Sequence, residues 1–159
     1  MAKALVCYYS RTGNTQHMAE AIAEGINQAG GTDAEIRRIT ELSAEDLKGY
    51  DAIIMGSPTY YGTMAAELKQ LLDESVAFHG QLDGKVGGAF SSSANIAGGN
   101  ETTIMDILKA MLIHGMVVQG TPKGDHYGPV AIGDLDDRSR TQCRDYGRLV
   151  AKLATKLHG

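Results

Sequence analysis

The chain has 159 residues, 43% of them hydrophobic and 21% charged, with a formal net charge of −4 and two cysteines. Such a length buries one sizeable core, so a single domain over residues 1–159 is expected. The modest acidic balance without a basic run excludes binding along a nucleic-acid backbone, and no apolar stretch reaches the length of a membrane span.

The apolar run Ala4 to Tyr9 predicts a buried strand, and it leads straight into Ser10-Arg11-Thr12-Gly13-Asn14-Thr15. After that loop Met18, Ile22, Ile26 and Ala29 recur at helical spacing until Gly30-Gly31 stops the helix. Ala34 to Ile39, with charges alternating against apolar residues, predicts an edge strand, and Ala52 to Gly56 a buried one. Met64, Leu68, Leu71, Leu72 and Val76 mark the next helix, and Val86 to Phe90 the fourth strand. Ile104, Ile107, Leu108, Met111 and Leu112 give a further helix face, Met116-Val117-Val118 opens a fifth strand, and Leu149, Val150, Leu153 and Leu157 stripe the terminal helix. Alternation of strands and helices is the pattern of an α/β protein: a doubly wound, five-stranded parallel sheet of order 2-1-3-4-5 with helices on both faces. Its ligand crevice then lies at the carboxyl ends of the strands.

The loops at that edge carry the unusual residues. Ser10 to Thr15 joins a strand to a helix, so Gly13 lets the backbone wrap an anion while hydroxyls and helix N-terminal amides bind it. It lacks the Lys-Ser/Thr of a nucleotide-hydrolase phosphate loop and the G-x-G-x-x-G spacing of a dinucleotide site. The gap from Cys7 to Arg11 is too short for a phosphatase loop. The plainer alternative is a Ser/Thr-rich turn that only caps the helix. Pro58-Thr59-Tyr60-Tyr61-Gly62 offers aromatic faces to stack on a planar ring, or two tyrosines that merely cover the sheet end. Ser91-Ser92-Ser93, Asn95 and Gly98-Gly99 belong to a loop whose small side chains leave backbone amides free to bond a heteroaromatic edge, unless it is simply a surface loop. A phosphate cradle, a stacking wall and an amide-rich edge together fit FMN.

The remaining reactive residues add less. Cys7 and Cys143 lack Cys-x-x-Cys spacing, which predicts reduced structural thiols. With no charged-then-apolar leader at the N-terminus, the expected location is cytoplasmic. His17 and His158 fall at solvated helix positions, His79 in a turn, and His114 at a helix end where a hydrogen-bonded histidine is the ordinary reading. His126, in Gly124-Asp125-His126-Tyr127-Gly128, is the one candidate for contact with flavin or substrate. No metal-site spacing is present.

In Tyr8-Tyr9-Ser10 with the phosphate loop, Asp51 to Thr59, Phe90-Ser91-Ser92 with Gly98-Gly99, His114 to Val117, Tyr127-Gly128 and Leu157-His158-Gly159, the chain resembles the flavodoxin-like family. Within it, the resemblance is to the WrbA-type NAD(P)H:quinone oxidoreductases. The resemblance implies that Ser10 to Thr15 hold the FMN phosphate, that Thr59-Tyr60-Tyr61 lie beside the isoalloxazine, and that Ser92 to Gly99 bond its polar edge. Departures accompany it. Ile113-His114-Gly115 stands where that family has His-His-Gly, an insert before the third strand is absent, and Gln119 to His126 is shorter. Those regions help build the family's tetramer and substrate pocket, so a homo-oligomer is an open expectation.

Two functions follow. One is an FMN-dependent oxidoreductase passing electrons from NAD(P)H to a small quinone, the cofactor performing the chemistry and the protein orienting it. The alternative is a flavodoxin-type carrier passing single electrons between redox partner proteins. The modest charge and the absence of an aromatic in Ser93 to Gly99 favour the enzyme, since carriers rely on charge steering and cover the flavin with a ring. An FMN-binding sensor without turnover is a third possibility.

Overall fold

Ala2–Tyr8 form the central strand β1 in the computed structural model, which describes all of residues 1–159. Every residue of β1 except Lys3 is buried, because both faces of the sheet are covered. Alternation sends Ala4, Val6 and Tyr8 into one core and Leu5 and Cys7 into the other. Helix α1 (Asn14–Ala29) buries Met18, Ile22 and Ile26 completely, and Gly30 and Gly31, at φ 74° and 78°, end it.

Strands β2 (Thr32–Arg38), β3 (Ala52–Pro58), β4 (Val86–Ser93) and β5 (Val117–Val118) complete a parallel sheet of order β2-β1-β3-β4-β5. Helices α2 (Ala66–Glu74) and α3 (Asn100–Ile113) cover one face, and α1 with α4 (Asp137–His158) covers the other. The expected fold class is the observed one, with the 2-1-3-4-5 order and helices on both sides.

Several boundaries differ from the periodicity. The edge strand runs from Thr32 to Arg38, and Ile39 instead opens a 3-10 turn that buries it under α2. Val76 leaves the α2 face for a 3-10 segment at Ser75–Phe78 and is exposed, as are Leu112 and Leu157 on their helices. A sixth strand, β6 (Val130–Ile132), shares the outer edge of β4: β5 pairs with Val86-Gly87 and β6 with Ser91 to Ser93. The fifth sheet position is thus filled by two short strands, and residues 119–129 loop out between them. Ser91 to Ser93 accordingly belong to β4 and lie between two neighbours, so the third crevice loop begins only at Ala94.

Helix α4 starts at a capping box in which Ser139 N–H donates to Asp136 Oδ1 at 2.7 Å and Asp136 N–H donates to Ser139 Oγ at 2.9 Å. It then crosses α1 at two glycines. A Cβ on Gly25 would lie 2.1 Å from the Arg144 carbonyl oxygen, and one on Gly147 2.1 Å from that of Ile22. Backbone cannot yield as a flexible side chain does, so Gly147→Ala should force the helices apart and cost about 2 kcal/mol in urea unfolding. An unchanged midpoint would show that this crossing is not close-packed.

Candidate functional site

The carboxyl ends of β1, β3 and β4 open on a cavity of 460 Å³. Its lining comes from Ser10, Arg11, Thr12, Asn14 and Thr15 on the first loop, and Pro58, Thr59 and Tyr60 on the second. Ser92, Ser93 and Ala94 at the end of β4 and Gly133 after β6 complete it.

The first loop turns through Gly13 at φ 103°, a left-handed conformation that favours glycine, with its N–H bonded to Ser10 Oγ at 3.0 Å. No side chain caps α1 and no acid stands in its first turn. The amides of Asn14, Thr15 and Gln16 therefore meet no side-chain acceptor and are left to water or a ligand. The partial positive charge of the helix end faces the same cavity. Thr15, almost wholly buried, places Oγ1 3.0 Å from Ser92 Oγ, tying the helix start to the end of β4. Arg11 is exposed and forms no ion pair.

Sequence reasoning missed Arg38. It ends β2, lies 5.4 Å over the Tyr8 ring, donates from Nη1 to the Ser10 carbonyl at 3.2 Å and from Nη2 to Gln16 Oε1 at 2.8 Å. A guanidinium held on both ends of the loop fixes its shape and adds positive charge behind it. Its signal, a charge at the carboxyl end of an edge strand, is not distinctive in sequence. Gly133 was missed because Val130-Ala131-Ile132 is too short to stand out as a strand, yet its N–H donates to the Ser93 carbonyl at 2.9 Å.

In the second loop, Tyr60 N–H donates to the Thr63 carbonyl at 2.9 Å and Thr63 N–H to that of Tyr60 at 3.2 Å. Tyr61 and Gly62, at φ 49° and 81°, occupy the turn between them, the pattern of a two-residue I′ hairpin. Tyr60 meets Tyr9 edge-to-face at 6.4 Å, while Tyr61 projects fully into solvent. Gly62 and Tyr61 are outside the cavity lining.

The serines of β4 divide. Ser91 is fully buried and its hydroxyl donates to the Ser57 carbonyl at 2.8 Å while receiving Thr59 Oγ1 at 3.0 Å, so it braces the strand ends rather than the cavity. Ser93 Oγ donates to the Asn95 carbonyl at 2.9 Å. Beyond it, the amides of Asn95, Ile96 and Ala97 have no protein acceptor, and Ala97 and Ile96 are exposed. Gly98 N–H closes a turn to the Asn95 carbonyl at 3.1 Å. At Gly99 a Cβ would lie 2.9 Å from Gly62 Cα, so the second and third loops pack together at that point.

His126 lies outside the cavity lining: it is exposed, its Nδ1 is 2.9 Å from the Thr121 carbonyl, and its ring meets Tyr127 edge-on. His17, exposed as expected, also pairs with Asp134 at 2.8 Å. Asp134 stands directly after Gly133, and the pairing holds its carboxyl below the usual range. Burial pushes both the Cys7 and Cys143 thiols up to about 12, so neither is a thiolate near neutral pH. No group of three or more His, Cys, Asp or Glu is placed to hold a metal ion, and no helix is long and apolar enough to cross a membrane.

A parallel 2-1-3-4-5 sheet with an amide-rich cleft at its carboxyl edge defines a flavodoxin-like protein. The model of the flavodoxin domain matches residues 5–113, and the chain belongs to that family. It is 36% identical to a protein named NAD(P)H dehydrogenase (quinone) from Nitrobacter winogradskyi, covering all of both chains across 200 aligned positions. That alignment exceeds the length of this chain, so the relative carries segments lacking here. It is also 37% identical over 160 positions to a flavodoxin from Aquifex aeolicus, covering 96% of this chain and 86% of that one. The crystal structure of a WrbA-like flavodoxin from Agrobacterium tumefaciens superposes with a TM-score of 0.83 at 30% identity and covers 99% of each chain.

Proposed function

We propose that this protein is an FMN-dependent oxidoreductase that carries electrons from NAD(P)H to quinones. The observation that carries the reading is the convergence, at one cleft, of an uncapped α1 start with a second loop bearing an exposed tyrosine and a third whose amides lack acceptors. These residues fit a flavin monophosphate. The Asn14 to Gln16 amides with the Ser10, Thr12 and Thr15 hydroxyls would hold the phosphate, Thr59 to Tyr61 would flank the ring, and Ser92 to Gly99 would bond its polar edge. FMN, when bound, supplies the redox chemistry between a hydride donor and a quinone.

The chain's own part is binding and orientation. No aromatic side chain occurs from Ser93 to Gly99, and the exposed apolar group there is Ile96, so planar reactants keep access to one side of the cleft. The full-length relatives named NAD(P)H dehydrogenase (quinone) support the same assignment. Reduction of a benzoquinone by the FMN-loaded protein should proceed with NADH or NADPH and yield parallel double-reciprocal lines, because both reactants use one site in turn. Flavin reduction only through a partner reductase, with none by nicotinamide nucleotides, would overturn it.

A second reading, a carrier of single electrons between redox proteins, is favoured by one observation. The Aquifex flavodoxin aligns over 160 positions, close to the length of this chain, whereas the quinone dehydrogenases require about 200. The same kinetic experiment separates the two. The absence of a spanning helix is compatible with a cytoplasmic protein, and a homo-oligomer enters the proposal through the family resemblance alone.

A further inference from the structure

A cavity of 1120 Å³, larger than the phosphate-loop cleft, forms a groove between α2 and α3. Tyr60 lines both. From Tyr60 the groove runs along the nine residues of α2, about 14 Å at the helical rise, to His79 and His114 at the far end. Its walls are Met64, Leu72, Val76, Ala110 and Ile113, and Val76 and Ile113 are strongly exposed.

Two features state what the groove takes. Its charged side chains cancel within the lining: Lys69 pairs with Asp73 at 2.5 Å and Lys109 with Asp106 at 2.7 Å, so nothing there selects an ion of either sign. The ligand is therefore neutral and largely apolar. The other feature is His114, 8% exposed. The Ser75 hydroxyl donates to the Leu72 carbonyl at 2.6 Å, so His114 Nε2 must be the protonated nitrogen that donates to Ser75 Oγ at 2.7 Å. Nδ1 is then a bare acceptor, and it is the one buried side-chain nitrogen or oxygen without a partner in the whole protein. The atom has no exposed surface and Nε2 is taken by Ser75, so the His114 ring offers a ligand no hydrogen bond and closes the far end of the groove as an apolar wall. Burial, and His79 beside it, hold the His114 pKa below the ordinary value, so the ring stays neutral.

We infer that this groove binds the apolar side chain of the quinone acceptor, the headgroup lying at Tyr60 and the hydrocarbon chain running toward His114. The inference rests on the quinone reading and names its substrate class: quinones with a long alkyl substituent. Its test is equilibrium binding by calorimetry to the FMN-loaded protein of one benzoquinone headgroup carrying hydrogen, a decyl chain or a 10-hydroxydecyl chain. 1-Decanol, which carries no redox group, is titrated alongside.

The decyl compound should bind on the order of tenfold or more tighter than the bare headgroup. The terminal hydroxyl should weaken binding relative to the decyl compound, because an apolar groove end leaves it without a partner. Ala110→Trp, filling the middle of the groove, and Val76→Asp, charging its exposed wall, should each remove the advantage of the chain while leaving turnover of the bare quinone unchanged. Persistence of the chain's advantage in both variants overturns the proposal. So does concentration-dependent dimerisation of the wild type that both variants abolish, since the groove would then belong to a second copy. A 10-hydroxydecyl compound that binds as tightly as the decyl one overturns the apolar character of the far end. Decanol binding lost in both variants, in a protein that turns over no quinone, would leave the groove standing and the quinone reading fallen.

Discussion

Thr15→Leu is expected to weaken FMN binding about a hundredfold while leaving riboflavin affinity nearly unchanged. Thr15 is the second residue of α1 and lines the cleft, so its hydroxyl and the adjacent uncapped amides act on whatever anion sits there. Hydrogen bonds to a charged partner contribute about 1.5–3 kcal/mol each, and Leu removes one while crowding the space beside it. Riboflavin carries no phosphate and senses neither effect. Thr15→Val, which keeps the branched shape, should show the hydroxyl's share alone. The measurement is quenching of flavin fluorescence on titration of the apoprotein with each compound. Equal losses for FMN and riboflavin would mean that the first loop does not hold a phosphate, and that Thr15 serves the fold through its 3.0 Å contact with Ser92.

The second and third loops bear on whether electrons leave singly or in pairs. A carrier gains from enclosing its cofactor and from a strongly charged rim. Here the third loop presents Ile96 where a ring would enclose, and the chain's net charge is only −4. Both loops are also braced from below. Thr59, Ser91 and the Ser57 carbonyl form a continuous hydrogen-bonded file, and the second and third loops touch at Gly62 and Gly99. A cleft held on a rigid strand edge orients its reactants without closing over them.

The fold was legible in the sequence where burial is two-sided. Ala4 to Tyr8 and Ala52 to Met55 are unbroken apolar runs because both sheet faces are covered, and Met18, Ile22 and Ile26 recur because one helix face is. Legibility failed where tertiary pairing supplies what composition does not. Ser91 to Ser93 look like a loop by composition, yet they are strand because β3 and β6 flank them. Val130–Ile132 is only three residues long and depends on β4 for its existence. Of the candidate cleft, the first-loop residues that line it were visible because helix starts are local events. Gly133 reaches the cleft, and Arg38 the back of its first loop, from elements distant in sequence, and no local pattern reveals such an approach. The α2–α3 groove was equally hidden: it follows from the facing of two helices and from one hydrogen bond, Ser75 to Leu72, that decides a tautomer.

Tyr61→Asn is expected to move stability and flavin affinity in opposite directions. Tyr61 occupies the left-handed region at φ 49°, where a side chain other than Gly, Asn or Asp costs about 1–2 kcal/mol. Its ring is wholly exposed, so burial recovers nothing. Asn followed by Gly62 is the sequence that an I′ hairpin favours, and the variant should unfold at higher urea, by about 1 kcal/mol. On the proposed function, the strain at this exposed aromatic is stability given up for contact with the flavin. Loss of that face should weaken FMN and riboflavin alike by about tenfold, since ring stacking contributes about 1–2 kcal/mol and does not involve the phosphate. The contrast with Thr15→Leu is the useful part: one substitution separates the two flavins and the other does not. If Tyr61→Asn stabilises the protein and leaves both affinities intact, Tyr61 is not part of the flavin wall, and the ring contacts must come from Tyr60 alone.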